Sequence, residues 1–172
     1  MSVNRNTGIR ETARRYILLK LKDYCRSRVA HFGHDILASD SIKREESFMQ
    51  HGTTTVFAHS FNVACISIAI AYILRLRINE RWTVRGALLH DYFLYDWHES
   101  SHDWHGFTHA ETALRNAQRD FKIGRVESNI IIRHMFPLNI VPPRYRESAI
   151  VCIADKLSAI AETMHIRALN FN

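Results

Sequence analysis

VFAHSFNVACISIAIAYIL, residues 56–74, is the stretch from which the fold is read. His59 lines up with Val63, Ile66, Ile70 and Leu74, a helical spacing that puts its imidazole on the apolar face, one turn from the helix start. Thr53, Thr54 and Thr55 stand ahead of it as candidate caps, with His51 and Gly52 before them. The mostly apolar run 63–74 has 12 residues. A bilayer span needs roughly 20, so a buried core helix is expected, with no membrane partner.

Working outward, a second helix is expected over 80–91, where Asp91 aligns with Val84, Ala87 and Leu88, and His90 with Ala87 and Gly86. His109 opens a helix whose stripe is Ala110, Ala113, Leu114, Ala117 and Phe121, and His134 follows Ile130 and Ile131. The run Val151-Cys152-Ile153-Ala154-Asp155-Lys156-Leu157 sets one carboxylate among apolar residues in a last helix continuing to about 168. Towards the N-terminus, residues 1–32 read as a long amphipathic scaffold helix with Ile9, Ala13, Tyr16, Ile17, Lys20, Leu21 and Tyr24 at helical spacing. The polar stretch 33–55 holds a short helical candidate at 40–49, and 137–143 reads as a helix–helix loop.

Only 3 prolines and 6 glycines occur in 172 residues, and strand-like alternation is scarce. An all-α, single-domain bundle follows, divided into an N-terminal helical extension at 1–50 and the main domain at 51–172. Cys25, Cys65 and Cys152 have no metal or redox spacing and are odd in number, which fits reduced buried thiols. Residues 1–15 carry four arginines without the apolar core of a secretion signal, and a cytoplasmic location is expected. The net charge of +6 favours anionic partners, phosphorylated metabolites or nucleic acid, and does not by itself choose between them.

His59, His90, Asp91, His109, His134 and Asp155 are thus polar groups inside or at the edge of apolar helical runs. Such groups need partners, and four histidines with two aspartates suit one or two divalent metals. Imidazole mixed with carboxylate suits manganese, iron, cobalt, nickel or zinc better than an all-oxygen magnesium site, and iron or manganese is expected, with magnesium the remaining candidate.

The order of these residues, in the strings His59-Ser60-Phe61-Asn62-Val63-Ala64, Ala87-Leu88-Leu89-His90-Asp91, His109-Ala110-Glu111 and Ala154-Asp155-Lys156, resembles the HD-domain superfamily of metal-dependent hydrolases. It is most similar to the small bacterial members with two extra histidines between the HD pair and the final aspartate. The resemblance covers residues from about 50 to 165 and implies an HD-type helical bundle. It implies that His59, His90, Asp91 and Asp155 hold a first metal, and that Asp91 bridges to a second held by His109 and His134. The activity implied is hydrolysis of a phosphate ester or anhydride, with a small nucleotide as the expected substrate. Tyr92-Phe93-Leu94-Tyr95 follows the HD pair, where five-prime nucleotidases carry acidic residues, and Leu94 stands where cyclic-dinucleotide phosphodiesterases have lysine. Those substrate classes are disfavoured, and the diadenosine-polyphosphate hydrolase branch matches best.

Further candidates surround this set. Lys156 is expected beside a substrate phosphate as a catalytic charge, and Arg133, Arg144, Arg146 and His51 as substrate-binding groups. The loop 98–105 reads as a wet lid, and Tyr92, Phe93, Tyr95, Trp97 and Trp104 as a mixture of core and base-stacking surface. Two other readings stand behind hydrolysis: a di-iron oxygenase on the same scaffold, and a basic nucleic-acid-binding or regulatory module. Homo-oligomerisation stays open.

Overall fold

Thr55 starts the central helix, its side chain accepting a hydrogen bond from the Ala58 N–H at 3.2 Å, which satisfies a donor that the first helical turn leaves free. The computed structural model describes residues 3–51, 54–95 and 105–171. Among them the elements are α1 (Val3–Phe32), α2 (His34–Leu37), α3 (Asp40–Lys43), β1 (Met49–His51), β2 (Thr54–Thr55), α4 (Val56–Ile73), α5 (Glu80–Leu89), α6 (His105–Asp120), α7 (Arg125–Arg133) and α8 (Arg146–Thr163), with 3-10 turns at Arg44–Ser47 and Arg167–Leu169. The domain is all-α apart from a two-stranded antiparallel ribbon that pairs Met49 with Thr55 and His51 with Thr54.

Helix α4 is apolar on nearly every side because neighbours surround it: α1, α5 and α8 all pack on it. Val63, Ala64 and Cys65 are fully buried. By length and composition α4 meets the requirement for a membrane span, yet 67% of that window is buried inside the protein, and it acts as the core helix the sequence suggests. Helix α5 crosses α7 closely at Gly86, where an added Cβ would lie 2.4 Å from Ile130 Cδ1 and 2.9 Å from its Cβ. Arg85, one residue earlier, is 2% exposed. Its Nε bonds Glu127 on α7 at 2.8 Å, its Nη2 the Lys122 carbonyl at 3.0 Å, and its Nη1 Asp35 on α2. A buried guanidinium with all three partners supplied locks these helices in one arrangement.

Several boundaries differ from the sequence reading. Met49 turns into the ribbon, so the 40–49 candidate becomes α3 and a 3-10 turn. Helix α6 begins at His105 rather than His109, and α8 stops at Thr163, four residues before the last 3-10 turn, with His165 in the left-handed region at φ 54°. Helix α1 has its expected length, but its apolar stripe is not a buried face. Tyr16 and Ile17 are 61% and 66% exposed, and burial begins in earnest at Cys25 and Val29. Spacing marks a face, and only a packing partner buries it. All three cysteines are free and buried.

Candidate metal centre

Two of the histidines are built by the same local device. His90 and His134 are the residues that close α5 and α7, where the last carbonyls lack helical partners. Each ring donates its Nδ1–H to the carbonyl three residues back, His90 to Ala87 and His134 to Ile131, both at 2.7 Å. A carbonyl can only accept, so Nδ1 carries the proton and Nε2 is left as a lone pair pointing away from the helix. The negative end of each helix also favours a cation there. His59 is oriented by a carboxylate instead: its Nδ1 lies 3.0 and 3.1 Å from the two oxygens of Glu162. Glu162 in turn accepts from Ser158 Oγ at 2.6 Å, and Ser158 from Asn62 Nδ2 at 2.8 Å.

These nitrogens converge on two carboxylates. Asp91 Oδ2 lies 3.4 Å from His90 Nε2 and 3.9 Å from His59 Nε2, while Oδ1 of the same residue lies 3.4 Å from His109 Nε2 and 3.3 Å from His134 Nε2. Asp155 Oδ1 closes the first side at 3.1 Å from His59 Nε2 and 3.7 Å from His90 Nε2. His59, His90 and Asp91 thus form one group of metal-ligand geometry, and Asp91, His109 and His134 a second. All six residues are buried. The turn bearing Asp91 is fixed from α6, where Asn116 Nδ2 donates to the carbonyls of Tyr92 at 3.1 Å and Phe93 at 3.0 Å, and Leu94 reverses the chain at φ 61°.

The chemistry of this cluster calls for positive charge. Burial alone would push the Asp91 and Asp155 carboxyls up, but the surrounding imidazoles hold both well below the usual carboxylate range. Burial would likewise lower His59, but its hydrogen bonds and charge contacts with Asp155 and Glu162 raise it to about 10. A proton there supplies the charge that a metal would bring. His109 Nε2 and His134 Nε2 face each other at 2.9 Å. His90 Nε2 and Asp91 Oδ1 have no hydrogen-bond partner among the described residues. Buried acceptors such as His90 Nε2 and Asp91 Oδ1, left without a donor in a dry interior, are costly unless a cation lies beside them. Divalent metal fits this donor set, with His59, His90, Asp91 and Asp155 on one side and Asp91, His109 and His134 on the other.

Of the remaining expected residues, Lys156 reaches the centre: its Nζ donates to the His134 carbonyl at 2.8 Å and lies 3.6 Å from Asp155 Oδ2, with 41% of the side chain exposed. Arg133 is half-buried beside His134. Arg146 instead donates to the Arg77 carbonyl at 2.6 Å, and nine residues of α8 at about 1.5 Å rise separate it from Asp155. Arg144 is exposed, its guanidinium 5.9 Å from the Tyr145 ring centroid. The fold does not bring those two to the cluster. His51 ends β1, and its side chain lies outside the described residues, as do residues 96–104, which hold Trp97, Trp104 and most of the expected lid. Tyr92 and Phe93 are core, with the Phe93 ring 6.0 Å from that of His109.

Three groups near the centre were not anticipated. Glu162 shares a face of α8 with Asp155 and Ser158, at i, i+3 and i+7, and that spacing could have flagged it. Gln50 Nε2 donates to Asp91 Oδ2 at 2.6 Å. Glu45 is 0% exposed, and the charges that act on it are those of Asp91 and His59.

A helical scaffold that gathers four histidines and two aspartates into one buried centre has the donor set of a divalent-metal site. The model of the family described as HD domain matches residues 56–160, more than half of the chain, and the chain belongs to that family. Members of that family are mostly metal-dependent hydrolases. No curated protein and no solved structure matches the chain.

Proposed function

We propose that this chain is a metal-dependent phosphohydrolase that cleaves a phosphate ester or anhydride of a small nucleotide with water, using iron or manganese. The observation that carries the reading is Asp91, whose two oxygens face two separate ligand groups, each within 3.3–3.9 Å. Two divalent ions bound there would polarise phosphoryl oxygens and make water acidic enough to attack phosphorus at neutral pH. Mixed imidazole and carboxylate donors favour iron or manganese over an all-oxygen magnesium site.

The protein's own groups serve that chemistry in distinct ways. Gln50 holds the Asp91 carboxylate in place through its Nε2. Glu162 fixes the His59 ring and supports its basicity. Lys156, anchored on the His134 carbonyl with its side chain part-exposed, is the cation available to charge on a substrate phosphate. Three free buried thiols agree with a reducing, cytoplasmic setting.

The test is product release from nucleotides, dinucleoside polyphosphates and simple phosphomonoesters with added manganese, comparing wild type with Asp91→Ala. Turnover by the wild type alone is expected. Equal turnover in the variant, or none in either protein across the panel, contradicts the proposal.

A further inference from the structure

Among the described residues, buried carboxylates come with partners, with one exception. Glu127 is 4% exposed and is held by Arg85 Nε at 2.8 Å and the Gly124 N–H at 2.5 Å. Glu162 has His59 and Ser158. Glu45, in the 3-10 turn Arg44–Ser47, is 0% exposed, and neither of its carboxylate oxygens has a hydrogen-bond partner among the described residues. Burying a carboxylate in its charged form this way is strongly unfavourable unless a positive charge compensates it, and without one, burial and the neighbouring Asp91 charge push the Glu45 carboxyl well above the usual carboxylate range.

Among the described residues the other unpartnered buried atoms are Gln50 Oε1, His90 Nε2, Asp91 Oδ1 and the hydroxyls of Ser60 and Ser148, and the first three belong to the ligand set or to the residue bonded to it. With the two oxygens of Glu45, five of the seven are acceptors without a hydrogen to give once the His90 ring has its proton on Nδ1. Gln50 follows Glu45 by five residues, and its amide is bonded to Asp91. The charged groups that act on Glu45 are Asp91 and His59, both in the ligand set. An excess of acceptors around one cluster is met by cations and by the donating hydrogens of the water they carry.

We propose that Glu45 is a further carboxylate of the metal centre, an acceptor group supplied from outside the family-matched segment, whose buried charge is compensated by the bound ions. The proposal rests on the metal reading of the cluster. It assigns a role to the segment before α4 that packing alone does not explain, since an apolar residue would fill that position without an uncompensated charge.

The test uses the full-length chain, stripped of metal and then titrated with manganese, as wild type, Glu45→Gln and Glu45→Leu. Melting temperature and manganese affinity by chelator competition are both read. Metal-free, each variant melts at or above the wild-type temperature, because a lone buried carboxylate has been removed. With manganese, the rise in melting temperature shrinks in both variants, and affinity falls on the order of ten-fold or more. A wild-type manganese response in either variant overturns the inference, and so does a metal-free variant that melts below wild type or does not fold. If manganese leaves the wild type itself unchanged, the metal reading falls and takes this inference with it.

Discussion

Replacing Arg85 with alanine should destabilise the domain more than any single loss on its surface. The guanidinium is 2% exposed and has three partners: Glu127 on α7 at 2.8 Å, the Lys122 carbonyl just before α7 at 3.0 Å, and Asp35 on α2. Truncation leaves Glu127, itself 4% exposed, with its one remaining bond to the Gly124 N–H. Removing one partner from a buried pair costs about 3–5 kcal/mol. For a domain of this size each kcal/mol lowers the melting temperature by roughly 2–4 °C, so a fall on the order of 6–20 °C is expected by calorimetry or circular dichroism. Adding Glu127→Gln to Arg85→Ala should recover part of the loss, because the stranded charge is then gone. A single variant melting within about 2 °C of wild type would refute the reasoning, and so would a double variant worse than the single by the full cost of a second independent site.

Other consequences follow from the same geometry. Gly86→Ala forces a Cβ to 2.4 Å from Ile130 Cδ1 and should cost about 1–3 kcal/mol through overpacking, read as a lower denaturant midpoint. Glu162→Gln removes a carboxylate that raises His59, so the His59 ring in metal-free protein should titrate below its wild-type value of about 10 when followed by NMR; an unchanged titration contradicts the assignment. Folded His59 lies above its ordinary 6.5, so in the metal-free state its contribution to stability is fully present below about pH 6.5 and is lost as pH rises through about 10. Metal must displace that proton, so manganese affinity should strengthen with pH between 6 and 9, by up to about ten-fold per unit for each proton released. A flat or inverse dependence in chelator competition would contradict it.

The six clustered residues were legible in the sequence because each interrupts an apolar run, and a polar side chain on a buried helical face has to be explained. Spacing also announced α4, since a helix apolar on all sides must be surrounded. The groups around the centre carried no such mark. Glu45 lies in Lys43-Arg44-Glu45-Glu46, a string that reads as solvated charge, and its burial depends on how the turn lies against α4. Gln50 reaches Asp91 across 41 residues of chain, a contact no local pattern records. Arg144 and Arg146 differ: arginines near a phosphate chemistry are suggestive in sequence, but Arg146 opens α8 and Arg144 lies before it, while Asp155 sits nine residues into the helix. Helix α1 shows the same limit, with Ala13, Tyr16 and Ile17 of its apolar stripe exposed.

The most direct measurement is the metal content of the protein, purified under anaerobic conditions and reconstituted with iron or manganese, determined by elemental analysis alongside His59→Ala and His109→Ala. The account expects two ions per wild-type chain and a reduced number in each variant, because each histidine belongs to a different side of the Asp91 bridge. A wild type that retains no divalent metal after reconstitution would contradict the account at its centre.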